Sequence, residues 1–408
     1  MSEKSSPTIW QSQQFRAYLG GTTLSGMALA MQQLLLSWVL IGILNLPADQ
    51  VGLIQAVIGV PGVALILMGG ALADRIDPRN FLVRIYLVAP IFPLFLIVMD
   101  YSGWFSVWSV LVWGLGMSLV QAYSTPAQQA ILNRISGTQV QQTVTAATAV
   151  GFIVQVAGLG LAGQIDRLGI SPVLWGQAIV IALAGWAMLR VARAPEKAPT
   201  AISQSTLQGI VEGLRATYKA KVILNVLVIN FASSIFNAGS FMTVLPFIIK
   251  RVYDGDAVTL SILMAVFFGG AAISNAILLR FMPLTRPGKL FLIMQLSRIL
   301  VLFIIYLQGD FWLLVLGTFG WGLNMGVTGN LARTIVQESA DPNYRGRILS
   351  VFSVGMVGSA PIGAIILGWL IENVGAINAL WPAMILSVIL FAYGRLFSGV
   401  WQYRSVSV

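Results

Sequence analysis

The chain has no cysteine and no histidine among its 408 residues. That removes disulfides, thiol nucleophiles, Cys/His zinc sites and imidazole general bases together. Charge is scarce as well. Only 9% of residues are Asp, Glu, Lys or Arg, against about 25% in an ordinary soluble protein. So few charges cannot cover a water-facing surface of this size. Apolar residues fill the gap: 57% are hydrophobic, and mean hydropathy is +0.84. This is the composition of an all-α polytopic membrane protein. The sequence also lacks a phosphate-binding Gly-rich loop and paired intramembrane carboxylates, so an integral membrane enzyme is not the expected reading. No cofactor and no metal are expected.

Twelve apolar segments reach spanning length, at about 15–45, 50–72, 80–100, 104–132, 140–165, 172–192, 221–249, 258–281, 289–308, 311–335, 347–372 and 378–400. They are numbered here as spans 1 to 12. The links are short except at 193–220, which is polar, Pro-containing and basic. Its second half, from Thr206, is expected to form an amphipathic surface helix. This seam divides an N-terminal six-helix bundle (1–192) from a cytoplasmic linker (193–220) and a C-terminal six-helix bundle (221–408).

Charge sets the orientation. With the N-terminus in the cytoplasm, 21 of the 24 basic residues fall on the cytoplasmic side, and only Arg167, Lys250 and Arg251 fall outside. The 14 acidic residues split evenly, 7 and 7. The positive-inside rule is met, which predicts cytoplasmic termini in a plasma (inner) membrane. The net charge of +10 is then a matter of orientation, and no nucleic-acid partner is expected. The polar first 14 residues and the long first apolar run do not make a cleavable signal, so the first span is expected to direct insertion.

Within the spans, acids are missing. Asp49, Asp100, Asp166, Asp254, Asp256, Asp310 and Glu372 all sit near outer span ends. Proton carriers commonly keep a buried carboxylate. Protons remain a candidate coupling ion only through an end-of-helix acid such as Asp74. The deepest base, Arg298, lies about nine residues into span 9, and is expected to snorkel to the cytoplasmic face as an anchor.

Polar residues recur at helical spacing on four spans. Span 4 carries Met117, Gln121, Ser124 and Gln128. Span 7 carries Asn230, Ser233, Ser234, Asn237 and Phe241. Span 10 carries Trp321, Asn324 and Thr328, and span 1 carries Thr22, Gly26, Gln32 and Gln33. Amides in hydrocarbon need partners, so these faces turn to protein or water. Two readings stay open: interhelical hydrogen bonds at about 0.6 kcal/mol each, or a ligand cavity. The cavity set is Gln33, Met117, Gln121, Ser124, Gln128, Asn230, Asn237, Trp321 and Asn324. Amides, hydroxyls, Met and Trp without buried charge suit a neutral or zwitterionic small molecule.

Between spans 2 and 3 lies Gly69 to Arg84, GGALADRIDPRNFLVR. Such a charge group can leave an apolar run only at a membrane face. It resembles the loop signature of the major facilitator superfamily, G-x-L-A-D-R-x-G-R-K. Gly70, Leu72, Ala73, Asp74, Arg75 and Arg79 fill their places, and Asp77 and Pro78 depart from it. The halves also echo each other: Thr125 to Gly169 parallels Thr328 to Gly375. The resemblance implies two pseudo-symmetric six-helix bundles, alternating access, and a midplane site lined by spans 1, 4, 7 and 10.

The resemblance also implies gating residues: Gly70, Asp74, Arg75, Arg79, Arg134, Arg345 and Arg347. In the family, the acid at Asp74's place caps the start of span 11, here the turn Asn343 to Arg347, at about 0.3–1 kcal/mol. Arg345 and Arg347 would add charge pairing. The family partner of Arg75 is an acid at the end of span 4. That end reads Ile131-Leu132-Asn133-Arg134 here, leaving Asp77 as the alternative. Family antiporters carry G-x-x-x-G-P-x-x-G-G in span 5. This chain has Gly158, Gly160 and Gly163 but no proline among them, so the signature is not met and close helix packing is the reading. Asp74→Asn is expected to insert and fold normally but to transport poorly; wild-type flux in a well-expressed variant would remove the latch.

Thr125-Pro126-Ala127 and Tyr344-Arg345-Gly346-Arg347 resemble bacterial exporters of the enterobactin-exporter and drug-efflux type. That implies a monomer in the lipid bilayer exporting a small organic molecule. A lysophospholipid flippase or a facilitated-diffusion uniporter on the same scaffold are the alternatives.

Overall fold

A computed structural model of the chain describes residues 12–73, 77–136, 140–193, 206–341 and 344–405. Those residues contain no strand, and twelve of their helices are long and apolar enough to cross a membrane. Spans 1 to 6 are Gln13–Ile43, Ala48–Ala73, Pro78–Tyr101, Val107–Ser136, Val140–Ala162 and Ile170–Met188. Spans 7 to 12 are Lys221–Arg251, Ala257–Phe281, Pro287–Tyr306, Phe311–Ser339, Arg345–Val374 and Asn378–Leu396. Each lies within a few residues of its expected place. The linker helix expected from Thr206 forms over Thr206–Lys219.

Local chemistry explains the irregular points. Span 3 breaks at Ala89-Pro90, where proline has no N–H to continue the ladder. Spans 1 and 7 each carry a π-helical stretch, Val39–Ile43 and Ser240–Val244. Such widened turns recur at functional sites.

Contacts divide the chain into two compact units. The first takes residues up to Leu36 together with Ala64–Ser203; the second takes Ser37–Val63 and Gln204 onward. In the first unit, Trp113 and Tyr86 are fully buried between helices, and Gly158 of span 5 meets the backbone of Met27 in span 1.

In the second unit, Ile223, Phe291, Leu331, Ile335 and Ile348 form the centre of an apolar core. Lipid gives helices no hydrophobic drive to associate, so close packing of small residues carries much of the contact. Span 11 shows this twice: Gly363 faces Gly239 of span 7, and Gly368 faces Gly52 of span 2. Around the second seam, Gln55 of span 2 donates to Ser37 Oγ (3.3 Å) and to the Met242 carbonyl (3.2 Å), and accepts from Thr243 (2.7 Å). Glu372, ending span 11, accepts from the first N–H of span 2, at Ala48 (3.0 Å), and lies 3.6 Å from Arg251. A carboxylate suits that helix N-terminus.

Candidate functional site

A cavity of about 330 Å³ lies within the first unit. Span 1 contributes Gly26, Leu29, Ala30 and Gln33; span 5 contributes Thr148, Gly151, Phe152 and Gln155; span 4 contributes Gln121. The two sets of four share one spacing, i, i+3, i+4 and i+7, so each is a single helix face. Small residues at Gly26, Ala30 and Gly151 make the room. Three glutamines from three helices then offer amide donors and acceptors around one aromatic ring. Each amide presents two N–H donors and a carbonyl acceptor. The wall has no charge, and its volume is at the small end of ligand pockets, about 300–1,000 Å³.

Gln33 and Gln121 line this cavity together with Gln155, Thr148 and Phe152. The structure corrects the rest of the span 4 stripe. Met117 and Ser124 are fully buried, and Ser124 donates to the Gln121 carbonyl (3.2 Å). Gln128 is held inside the bundle: its amide donates to Ser25 Oγ (3.2 Å) and to Tyr86 OH (2.5 Å). The Gln128 backbone carbonyl accepts from Tyr18 OH (3.2 Å). Gln177 of span 6, absent from the expected set, is also fully buried. It bonds Trp113 Nε1 (3.3 Å), Gln32 (3.0 Å) and the Ala28 carbonyl (3.1 Å).

In the second unit, Trp321 is buried and its indole N–H donates to Asn237 Oδ1. Its ring meets Phe241 and Phe267 edge to face, at 6.1 and 5.6 Å between centroids. Phe241 and Phe267 stack at 4.0 Å. Asn230 is buried and its amide contacts Met356 Sδ (2.8 Å). Asn324 donates to the Met294 carbonyl (2.7 Å) and Ser297 Oγ (2.8 Å).

Arg298 overturns the anchor expectation. It does not reach the membrane face: it is 3% exposed, and its guanidinium donates to Ser233 Oγ and to Asn324 Oδ1 (3.3 Å). The side chain turns sideways toward spans 7 and 10 because those spans offer it acceptors. The expectation of an interior without buried charge falls with it.

The loop residues stand as follows. Gly70 lies near the end of the span 2 helix, and Asp74 and Arg75 lie outside the described residues. Asp77 caps span 3 by accepting from the Arg79 N–H (3.2 Å), with Pro78 at the first helical position. That is the position where proline's missing N–H costs nothing. Arg79 is buried and donates to the carbonyls of Leu189 (2.5 Å) and Val191 (3.1 Å), closing the end of span 6. Arg134 donates to the Ala192 carbonyl (2.7 Å) and lies 3.9 Å from Asp77. The ion pair at this corner therefore has its acid on the loop and its base on span 4. Arg345 is exposed, and Arg347 pairs with Glu212 of the linker helix.

Comparison with known proteins agrees with the fold. The family model described as Major Facilitator Superfamily matches residues 18–360 and 227–402. No curated protein matches the chain in sequence. A mutant form of the nucleoside transporter NupG superposes with a TM-score of 0.74 at 16% identity, covering 93% of this chain and 99% of that one. A mutant of the peptide transporter POT gives 0.76 at 14% identity, covering 97% of both. A bacterial homologue of the human lysosomal transporter Spinster, inward-facing and unoccupied, gives 0.71 at 14% identity, covering 96% and 98%. Two matched segments that together span nearly the whole sequence, on twelve membrane-length helices, place this chain in the Major Facilitator Superfamily as a multi-pass membrane transport protein.

Proposed function

We propose that the chain is a secondary transporter that exports a small organic molecule across the plasma membrane by alternating access. The observation that carries the reading is the cavity of Gln33, Gln121 and Gln155. Three amides converging on a space of about 330 Å³ bind polar groups without imposing a charge, and release them as easily. The two six-span halves on either side of 193–220 are the moving bodies, as parallel repeats are in such carriers. The positive-inside pattern sets the termini in the cytoplasm.

The test is flux in reconstituted vesicles, with labelled amphipathic organic molecules screened with and without a proton gradient, in both protein orientations. Gln121 is exposed, so Gln121→Ala should leave yield and melting temperature unchanged. Losing one hydrogen bond between neutral groups, about 0.5–1.5 kcal/mol, should raise KM for the transported compound roughly 2- to 12-fold. Unchanged KM in Gln33→Ala, Gln121→Ala and Gln155→Ala alike would overturn the site. Movement of fluorescent lysophospholipid but of no soluble compound would replace export by lipid flipping, and gradient-independent equilibration would replace it by uniport.

A further inference from the structure

We propose that Arg298 is the receptor for an anionic group, so that the molecule carried is an amphipathic organic anion, a carboxylate on a flat apolar body. The inference rests on the transport reading above and gives its substrate an anionic group, held in the second unit apart from the three-glutamine cavity of the first.

The argument begins with charge balance. Arg298 is 3% exposed in span 9. A buried cation is costly unless paired. Yet no Asp or Glu of this sequence falls deep in a span, and Arg298 makes no ion pair among the described residues. Its partners are neutral, the Ser233 hydroxyl and the Asn324 amide oxygen. Its Nε is buried with no hydrogen-bond partner. A guanidinium has five donors in a planar fork that matches a carboxylate. Here the fork is only partly filled, by groups that any carboxylate would displace.

The surroundings supply the rest of the ligand. On span 7, Ser233 lies one helical turn before Asn237; on span 10, Asn324 lies one turn after Trp321. Asn237 and Trp321 are bonded to each other. Beyond them stand Phe241 and Phe267, stacked at 4.0 Å, with Trp321 edge-on to both. The two residues that hold the guanidinium therefore share their helices with Phe241, about two turns on in span 7, and with Trp321, one turn back in span 10, while Phe267 comes from span 8. A compound with a charged head and a flat apolar body matches that order. A simple inorganic anion would leave the wall unused, and a neutral compound would leave the cation unbalanced.

The test is binding, measured on the purified full-length chain separately from transport. The probe is 1-naphthoate, with the isosteric but neutral 1-naphthamide as its control, read by melting temperature and by tryptophan fluorescence at constant ionic strength. Naphthoate should give a saturable upward shift and naphthamide should not. Two variants decide the residue. Arg298→Gln should weaken half-saturation at least about tenfold, because a charge-assisted contact is lost. Asn324→Asp gives up the amide's bonds to the Met294 carbonyl and Ser297 but places an acid beside the guanidinium; it should lose the naphthoate shift. The second variant keeps the test decisive even where Arg298→Gln yields no folded protein. Equal shifts with both probes, no shift with either, or a naphthoate shift retained in Asn324→Asp would each overturn the proposal. Failure here would leave transport of a neutral compound standing. Retained naphthoate binding with no flux of any compound would instead strike the transport reading.

Discussion

Gly363→Val should yield little folded protein. A Cβ at Gly363 would lie 2.0 Å from the Ile235 carbonyl oxygen and 3.0 Å from Gly239 Cα. Neither can give way locally. The carbonyl belongs to the span 7 backbone, and Gly239 has no side chain to rotate. The reverse contact is as tight, since a Cβ at Gly239 would sit 2.7 Å from Gly363 Cα. The two helices would have to part along the whole seam and give up dispersion contacts on both sides. Overpacking a core costs about 1–3 kcal/mol when side chains can adjust. Here backbone must move, so a loss of about 3 kcal/mol or more is expected, a large share of a typical stability of about 5–15 kcal/mol. The measurement is monodisperse yield in mild detergent and melting temperature. Gly151→Val is the control, because a Cβ there meets nothing within 4 Å. Wild-type melting of Gly363→Val would show that the seam is looser than described.

The twelve spans and the linker helix were legible because they depend on length and apolarity, which are written along the chain. What connects them was less so. Arg298 was misread because the snorkelling argument counts residues along the helix axis. The deciding variable was direction around it, toward Ser233 and Asn324 on neighbouring helices. The span 4 stripe split for a related reason. Met117, Gln121, Ser124 and Gln128 share a face, but only Gln121 opens on the cavity; the others lie against helices whose positions no spacing rule gives. Thr148 and Gln155 carried a usable signal, the same i, i+7 spacing as Gly26 and Gln33, hidden among small apolar residues. At the loop, Asp77-Pro78 looked like a departure from a motif. As chemistry it is a cap followed by proline at the first helical position, and the structure has it that way. Gln55 with Thr243 joins residues far apart in sequence, and no local pattern announces such a pair.

Gly52→Val should fold and yet fail to transport. The crowding resembles that at Gly363: a Cβ at Gly52 would lie 2.2 Å from the Ala364 carbonyl oxygen and 3.1 Å from Gly368 Cα. The consequence differs because of where the seam stands in the repeat. Spans 7 and 11 both follow the linker, and their contact belongs to one half. Span 2 precedes it, so if the proposed six-span halves move by the proposed alternating access, its contact with span 11 would form and break in each cycle. The bonds around it fit that use: the Gln55 contacts with Ser37, Met242 and Thr243 are few and neutral, and the Glu372 carboxylate holding Ala48 is partly exposed. Such contacts can be exchanged for water at modest cost, each worth about 0.5–1.5 kcal/mol net. A side chain at Gly52 therefore obstructs one conformation rather than the fold. The sequence makes the readout simple, because it has no cysteine. Thr243 is fully buried beside Gln55. Thr243→Cys alone should resist a membrane-impermeant maleimide, and in the Gly52→Val background it should label at least about tenfold faster, since shifting a two-state equilibrium by 1.4 kcal/mol already changes the open population that much. Flux should fall while melting temperature stays near the parent value. Equal protection of the thiol in both backgrounds, in folded protein, would mean that the span 2 and span 11 seam tolerates the side chain and does not gate. Loss of folded protein would mean that the seam is permanent, and that residues 37–63 belong mechanically as well as spatially to the second unit.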